Sequence, residues 1–131
     1  MSGSLWSAVL PVKGGPAAKS RLGAGPSLAA AIAADSIDAV VACPRVARVV
    51  VVTADDATAG SARRSGAEVL AEPGGGGLNG AVRAGLGALD PDGPAAVLLA
   101  DVPALRPGDL ELALTLIERA LVERALADGA A

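Results

Sequence analysis

Short apolar runs alternate along this chain with longer stretches whose apolar residues recur at helical spacing. The clearest strand is VARVVVVT, residues 46–53, because a continuously apolar run is typical of a parallel strand that is buried on both faces. The pattern predicts strands and helices in strict alternation. Strands are predicted at Leu5–Val12, Val46–Thr53, Ala67–Ala71 and Ala95–Ala100, and helices at Ser27–Ala42, Ala57–Ser65, Leu78–Leu89 and from Pro107 onward.

The last predicted helix carries the strongest start signal. Pro107 suits a first helical turn, and the carboxylates of Asp109 and Glu111 are favourable near the positive end of the helix dipole. We expect the tail after Leu126 to be disordered. The apolar stripe that should face the core is formed by Leu110, Leu114, Ile117 and Leu121.

Alternation of this kind predicts an α/β domain with a mostly parallel sheet, in which ligands bind at the carboxyl ends of the strands. The polar and glycine-rich segments of the chain all follow predicted strands. Asp55 and Asp56 are interpreted only as a turn and a helix N-cap. The segments that remain as candidates for a site are residues 13–21, residues 73–80 and Asp101.

Composition narrows the classes of function. The length of 131 residues predicts a single domain over residues 1–131, and a net charge of −3 with one Trp and no Phe or Tyr argues against nucleic-acid binding. No segment is predicted to be a signal peptide or a membrane span, and the lone Cys43 fits a reducing cytosol, so we expect a soluble cytoplasmic protein. Without His, any metal should be a hard cation on carboxylates, such as Mg²⁺.

The segment LPVKGGPAAKSRL, residues 10–22, concentrates positive charge in an acidic protein. Lys13, Lys19 and Arg21 lie close together after the first strand, and Gly14 and Gly15 allow close approach to the backbone. A phosphate-binding loop and a solvated surface loop fit these residues about equally well. It is not a Walker A loop, because no G-K-[ST] follows the glycines.

Asp101, after the fourth predicted strand, is placed either to hold Mg²⁺ on phosphate oxygens or to cap a turn. The run GGGGLNG, residues 74–80, contains G-x-G-x-x-G, which favours a nucleotide lying on bare backbone with Asn79 offering amide hydrogen bonds. A plain flexible loop and a dinucleotide-binding module stay open as alternatives. The dinucleotide fingerprint is disfavoured because the unit follows the third strand, whereas a basic loop already follows the first.

Four separated segments resemble the guanylyltransferases of coenzyme F-420 biosynthesis, which act on 2-phospho-L-lactate or phosphoenolpyruvate. They are LWSAVLPVKGGPAAKSRL, RVVVVTADD, GAEVLAEPGGGGLNGAVRAGL and VLLADVPALRPGDLELAL, and they span about residues 5–114. The resemblance implies a Rossmann-like three-layer nucleotidyltransferase fold of the glycosyltransferase-A type. It also implies a reaction in which the acceptor phosphate attacks the α-phosphorus of GTP, with Mg²⁺ present and pyrophosphate leaving.

The resemblance also implies roles for particular residues. Lys13, Lys19 and Arg21 would be catalytic residues that hold the triphosphate, and Asp101 would bind magnesium. Ala100 stands where the family usually has Gly. The nucleotide would be bound by Pro11, Val12, Lys13, Gly77, Leu78 and Asn79.

The segment TLIERALVERALADGAA, residues 115–131, matches none of the family's later motifs, so we expect the chain to represent the N-terminal nucleotide-binding portion of such an enzyme. Two alternatives follow: a non-catalytic nucleotide-binding half-domain, and a related nucleotidyltransferase with another acceptor. An apolar helix stripe left uncovered would favour a homodimer. The sequence does not distinguish phosphoenolpyruvate from 2-phospho-L-lactate.

Overall fold

The computed structural model describes residues 5–13, 26–74, 76–100 and 106–129 as an alternating α/β fold. Strands and helices follow one another in the predicted order. The strands are β1 (Trp6–Val12), β2 (Val46–Thr53), β3 (Glu68–Ala71) and β4 (Ala95–Val97). The helices are α1 (Pro26–Val41), α2 (Asp56–Ser65), α3 (Gly77–Gly87) and α4 (Pro107–Gly129).

The strands form one sheet in the order β3-β2-β1-β4, and every pairing is parallel. The side chains of Val50, Val51 and Val52 in β2 are fully buried, as the continuously apolar run predicts. Helices cover both faces, so the architecture has three layers. This confirms the predicted α/β class.

The two faces of the sheet have separate cores. On one face α3 packs on Val9, Val50 and Val52, with Ala81 and Leu89 completing the cluster. The opposite face is covered by α1, α2 and the first half of α4. This larger cluster includes Leu10, Val12, Val51, Ile37, Val40, Ala62, Leu110 and Leu114.

An ion pair fixes α4 at the amino-terminal edge of the sheet. Glu118 accepts hydrogen bonds from the guanidinium of Arg45 and, at 2.6 Å, from the indole N–H of Trp6 at the start of β1. Arg45 also donates to the hydroxyl of Thr115 at 3.1 Å. These donors stabilise the carboxylate, Arg45 first and Trp6 next, and they hold the pKa of Glu118 below its ordinary value. The middle of α4 is thereby tied to β1 and to the turn before β2.

Two sequence-based expectations for α4 are wrong. The helix continues through Ala127 to Gly129, where a disordered tail is expected. The predicted stripe is buried only at its start: Leu110 and Leu114 are 5% and 2% exposed, whereas Ile117 and Leu121 are 46% and 57% exposed. The apolar residues of the stripe are therefore buried in the first turns of α4 and exposed from Ile117 onward.

The fourth strand is shorter than predicted. β4 ends at Val97 rather than Ala100, although the N–H of Leu98 still donates to the carbonyl of Val9 at 2.9 Å. Leu99 is exposed, so an apolar run alone does not show where an edge strand leaves its sheet. Among the described residues, no helix combines the length and apolar character that crossing a membrane requires.

Candidate functional site

The carboxyl ends of three strands are level with one another. Val12 of β1 pairs with Thr53 of β2, and Thr53 pairs with Ala71 of β3. The segments that follow these residues therefore leave the sheet side by side. They include Lys13 after β1 and Glu72 after β3, so the register places these two residues along one edge of the sheet.

The strand order reverses between β1 and β4, and in open α/β sheets a crevice at the carboxyl ends of the strands is expected at such a switch point. Val9 and Val97 form the last registered pair, and the bond from Leu98 to Val9 is the last one described between these strands. Backbone groups alternate sides along a strand, so Pro11 faces β4 as Val9 does. Pro11 has no N–H to leave unpaired, and its carbonyl is directed toward the crevice. Such switch points bind ligands in open α/β sheets.

Lys13 is exposed at the mouth of this crevice, directly after β1. Pro11 and Val12, also predicted to bind nucleotide, have buried side chains, and Val12 belongs to the core. Any contact that these two residues make with a ligand must therefore use the backbone. Lys19 and Arg21 lie outside the described residues.

The amino terminus of α3 lies at the same edge, because α3 runs back across the sheet after β3. Gly76 precedes the helix and offers no side-chain cap, so the first N–H groups are available to an anion. Gly77 has φ of 55°, a left-handed conformation that glycine adopts without strain. Leu78 and Asn79 have exposed side chains in the first turn. All three predicted α3 residues therefore lie where a ligand can reach them.

Two glycines determine how α3 begins and how closely it packs on the sheet. A Cβ on Gly76 would lie 2.7 Å from Cα of Gly80, so a side chain there forces the first turn open. A Cβ on Gly85 would overlap Val9 Cγ1 and lie 3.2 Å from Val52 Cγ2. Gly85 therefore allows the helix to pack closely on β1 and β2, a requirement that sequence reasoning missed.

Asp55 and Glu72 are acidic residues at this edge of the sheet. Asp55 caps α2, because its Oδ2 accepts hydrogen bonds from the backbone N–H of Thr58 at 3.0 Å and from the Thr58 hydroxyl at 2.7 Å, so the N-cap lies one residue before Asp56, the residue that precedes the predicted helix. Glu72 is half-buried beside the glycine run and is a carboxylate that sequence reasoning missed. The feature of the sequence that could have identified Glu72 is its position immediately after a predicted strand.

The predicted metal ligand, Asp101, lies outside the described residues. Among the residues that are described, no group of three or more His, Cys, Asp or Glu side chains is arranged to hold a metal ion. A carboxylate such as that of Asp101 is a chemically suitable ligand for Mg²⁺. The magnesium site stays a prediction.

The described residues form a parallel sheet with an exposed lysine, an uncapped helix terminus and a switch point at one edge. The family model of the MobA-like NTP transferase domain matches residues 29–127, which is most of the chain. The chain belongs to this family. The match includes α3 and position 101, whereas β1 and Lys13 precede it.

Curated relatives of this chain are named as guanylyltransferases. The chain is 49% identical over 115 residues to phosphoenolpyruvate guanylyltransferase of Streptomyces coelicolor, covering 80% of this chain and 54% of the relative. It is 48% identical over 117 residues to the protein of that name in Salinispora arenicola, covering 85% and 54%. A 3-phospho-D-glycerate guanylyltransferase of Phenylobacterium zucineum is 39% identical over 121 residues, covering 84% and 56%. The chain spans about half the length of these relatives.

A solved structure shows the same fold at lower identity. CMP:2-keto-3-deoxy-manno-octonic acid synthetase, in complex with CTP, superposes with a TM-score of 0.59 and 20% identity, covering 88% of this chain and 48% of the other. This similarity shows that the chain shares the fold of that structure and carries no residue roles.

Proposed function

We propose that this NTP transferase domain binds GTP at the crevice between β1 and β4 and transfers its guanylyl group to a small phosphorylated carboxylic acid. Phosphoenolpyruvate is the acceptor that we favour, with 2-phospho-L-lactate as the alternative, in coenzyme F-420 biosynthesis. The observation that carries the proposal is the exposed Lys13 at the switch point, in a chain that is 49% identical to a phosphoenolpyruvate guanylyltransferase.

The triphosphate would lie between the basic segment and α3. Lys13, with Lys19 and Arg21 after it in the chain, would neutralise phosphate oxygens, and the free N–H groups of the first turn of α3 would add oriented dipoles. Leu78 and Asn79 would contact the guanosine. The glycine run follows β3, whereas a dinucleotide fingerprint occupies the first βα turn, so a mononucleotide is the better fit.

The proposed step needs no side-chain base. An oxygen of the acceptor phosphate, already ionised at neutral pH, forms a bond to the α-phosphorus of GTP, and the bond between that phosphorus and the α–β bridging oxygen breaks. Pyrophosphate leaves with the electron pair, and a guanosine diphosphate ester remains. Positioning and charge neutralisation supply the catalysis, which fits a domain without His. Bound Mg²⁺, held by Asp101, would supply further neutralisation of phosphate charge.

The test is pyrophosphate release from GTP with Mg²⁺, with each acceptor added in turn and ATP as the control nucleotide. We expect release that depends on one acceptor and is lost in Lys13→Ala and Asp101→Ala. A GTP-dependent rise in melting temperature without release would assign nucleotide binding to these 131 residues and place turnover outside them. A chain that shows no pyrophosphate release and no GTP-dependent rise in melting temperature would contradict the proposal.

A further inference from the structure

The outer face of α4 carries exposed leucines beside its charged residues, where a surface helix is normally polar. At about 100° per residue, one stripe runs along the side opposite the buried Leu110 and Leu114. We call it the outer stripe, and it consists of Leu112, Leu116, Arg119, Glu123 and Leu126, all of them exposed. Exposed leucines on the side of a helix that faces away from its own core provide apolar surface that a partner can cover.

The order of residues in the outer stripe is self-complementary. Arg119 and Glu123 lie at equal distances on either side of position 121, and Leu116 and Leu126 do the same further out. If a second α4 lies antiparallel with its position 121 at the same level, Arg119 of each helix faces Glu123 of the other helix. The leucines then face each other on both sides of the charged centre.

The charges select this arrangement over others. In a parallel pair at the same level, Arg119 would face Arg119 and Glu123 would face Glu123, which is repulsive. Within one helix, the order Arg then Glu four residues later is the weaker orientation for an ion pair, so both side chains gain from an external partner. Charged residues within an apolar seam fix its register at some cost in stability.

We propose that the outer stripe of α4 is the dimer interface for a second copy of this chain, packed antiparallel about a twofold axis level with position 121. The exposure of Leu116 (52%) and Leu126 (69%) measures the apolar surface that the partner would cover. The buried face of α4 is held by the Glu118 network and stays on its own domain. The inference is independent of the proposed function, because the outer stripe contains no residue of the candidate site.

The test measures the molar mass of the full chain by sedimentation over a wide concentration range. We expect a monomer–dimer equilibrium whose dissociation constant rises by about tenfold or more in Arg119→Glu and in Glu123→Arg, since each places like charges together. The charge-swapped double variant and a mixture of the two single variants should restore dimerisation. Arg63→Glu, an exposed arginine of α2 with the same change in charge, is the matched control.

Leu116→Gln is a second variant, and it replaces an exposed apolar side chain of the outer stripe without a change in charge. It should also weaken the dimer while circular dichroism shows an unchanged helix content. A wild-type chain that is monomeric throughout would overturn the proposal. So would a dimer that Arg119→Glu and Arg63→Glu leave equally stable, or assemblies larger than a dimer.

Discussion

The backbone of Val9 is joined to that of Leu98 by a 2.9 Å hydrogen bond, and beyond it β1 and β4 separate. β1 continues as far as Val12, level with Thr53 of the neighbouring strand. The unmatched end of β1 thereby forms one wall of the crevice that we assign to the nucleotide. A proline next to that wall fits, since it leaves no backbone donor unpaired.

The close packing of α3 predicts that Gly85→Ala is destabilising. The added methyl group would overlap Val9 and press on Val52, so we expect a loss of about 1–3 kcal/mol in the free energy of unfolding. Urea denaturation measures the change. Gly87→Ala is the matched control, because nothing lies within 4 Å of a Cβ there, and equal losses in both variants would contradict the packing argument.

The close backbone contact at the amino terminus of α3 predicts an effect of Gly76 on GTP binding. A methyl group on Gly76 would lie 2.7 Å from Gly80 Cα and displace the first turn, so Gly76→Ala should reduce the rise in melting temperature produced by GTP. Gly74→Ala introduces a methyl group into open space and should keep the full rise. If Gly76→Ala kept it as well, the helix terminus would not be part of the site.

The extent to which the sequence predicts this molecule depends on how local each feature is. The bounds of β2 agree with the prediction and the N-cap of α2 differs from it by one residue, since an apolar run and a capping residue act within a few positions. Trp6 and Glu118 are 112 positions apart, and no local pattern relates them. The same holds for Gly85, whose requirement comes from two strands on another layer.

The positions of the candidate site residues depend in the same way on how local each feature is. Lys13 and the α3 residues were found from strand ends and glycines, and they lie at one edge of the sheet. The burial of the Pro11 and Val12 side chains depends on the sheet that surrounds them, so the sequence alone does not distinguish a backbone contact from a side-chain contact.

The cap at Asp55 predicts a measurable loss of stability. Asp55→Ala removes the acceptor for the Thr58 N–H and hydroxyl and should lower the free energy of unfolding by about 1 kcal/mol. Asp55→Asn keeps an oxygen acceptor and should lose less. Thermal or urea unfolding measures both, and an Asp55→Ala chain as stable as the wild type would show that the cap contributes nothing.

The hydrogen bonds of Glu118 that hold α4 predict that the stability of the fold depends on pH. The N–H donors of Arg45 and Trp6 hold the pKa of Glu118 below its ordinary value, so the charged carboxylate stabilises the fold above the unfolded-chain value of about 4.3. That stabilisation should be lost as the pH falls through the lower, folded value. Trp6, the single tryptophan, reports the change by its fluorescence.

Glu118→Gln tests this assignment, since it keeps an acceptor for the indole N–H without a titrating charge. The fluorescence transition at acidic pH should disappear in this variant and persist in Glu111→Gln on the same helix. A transition that both variants retain would have to arise from another carboxylate.

The most direct test of the central claim is calorimetric titration of GTP into the wild-type chain, Lys13→Ala and the control Arg63→Ala. We predict that the wild type binds GTP in preference to ATP and that Lys13→Ala weakens GTP binding by about tenfold or more, the loss expected for one charge-assisted hydrogen bond. Arg63→Ala, on the exposed side of α2, should bind as the wild type does. A wild-type chain that binds no GTP, or a Lys13→Ala chain that binds it equally well, would contradict the assignment of the crevice.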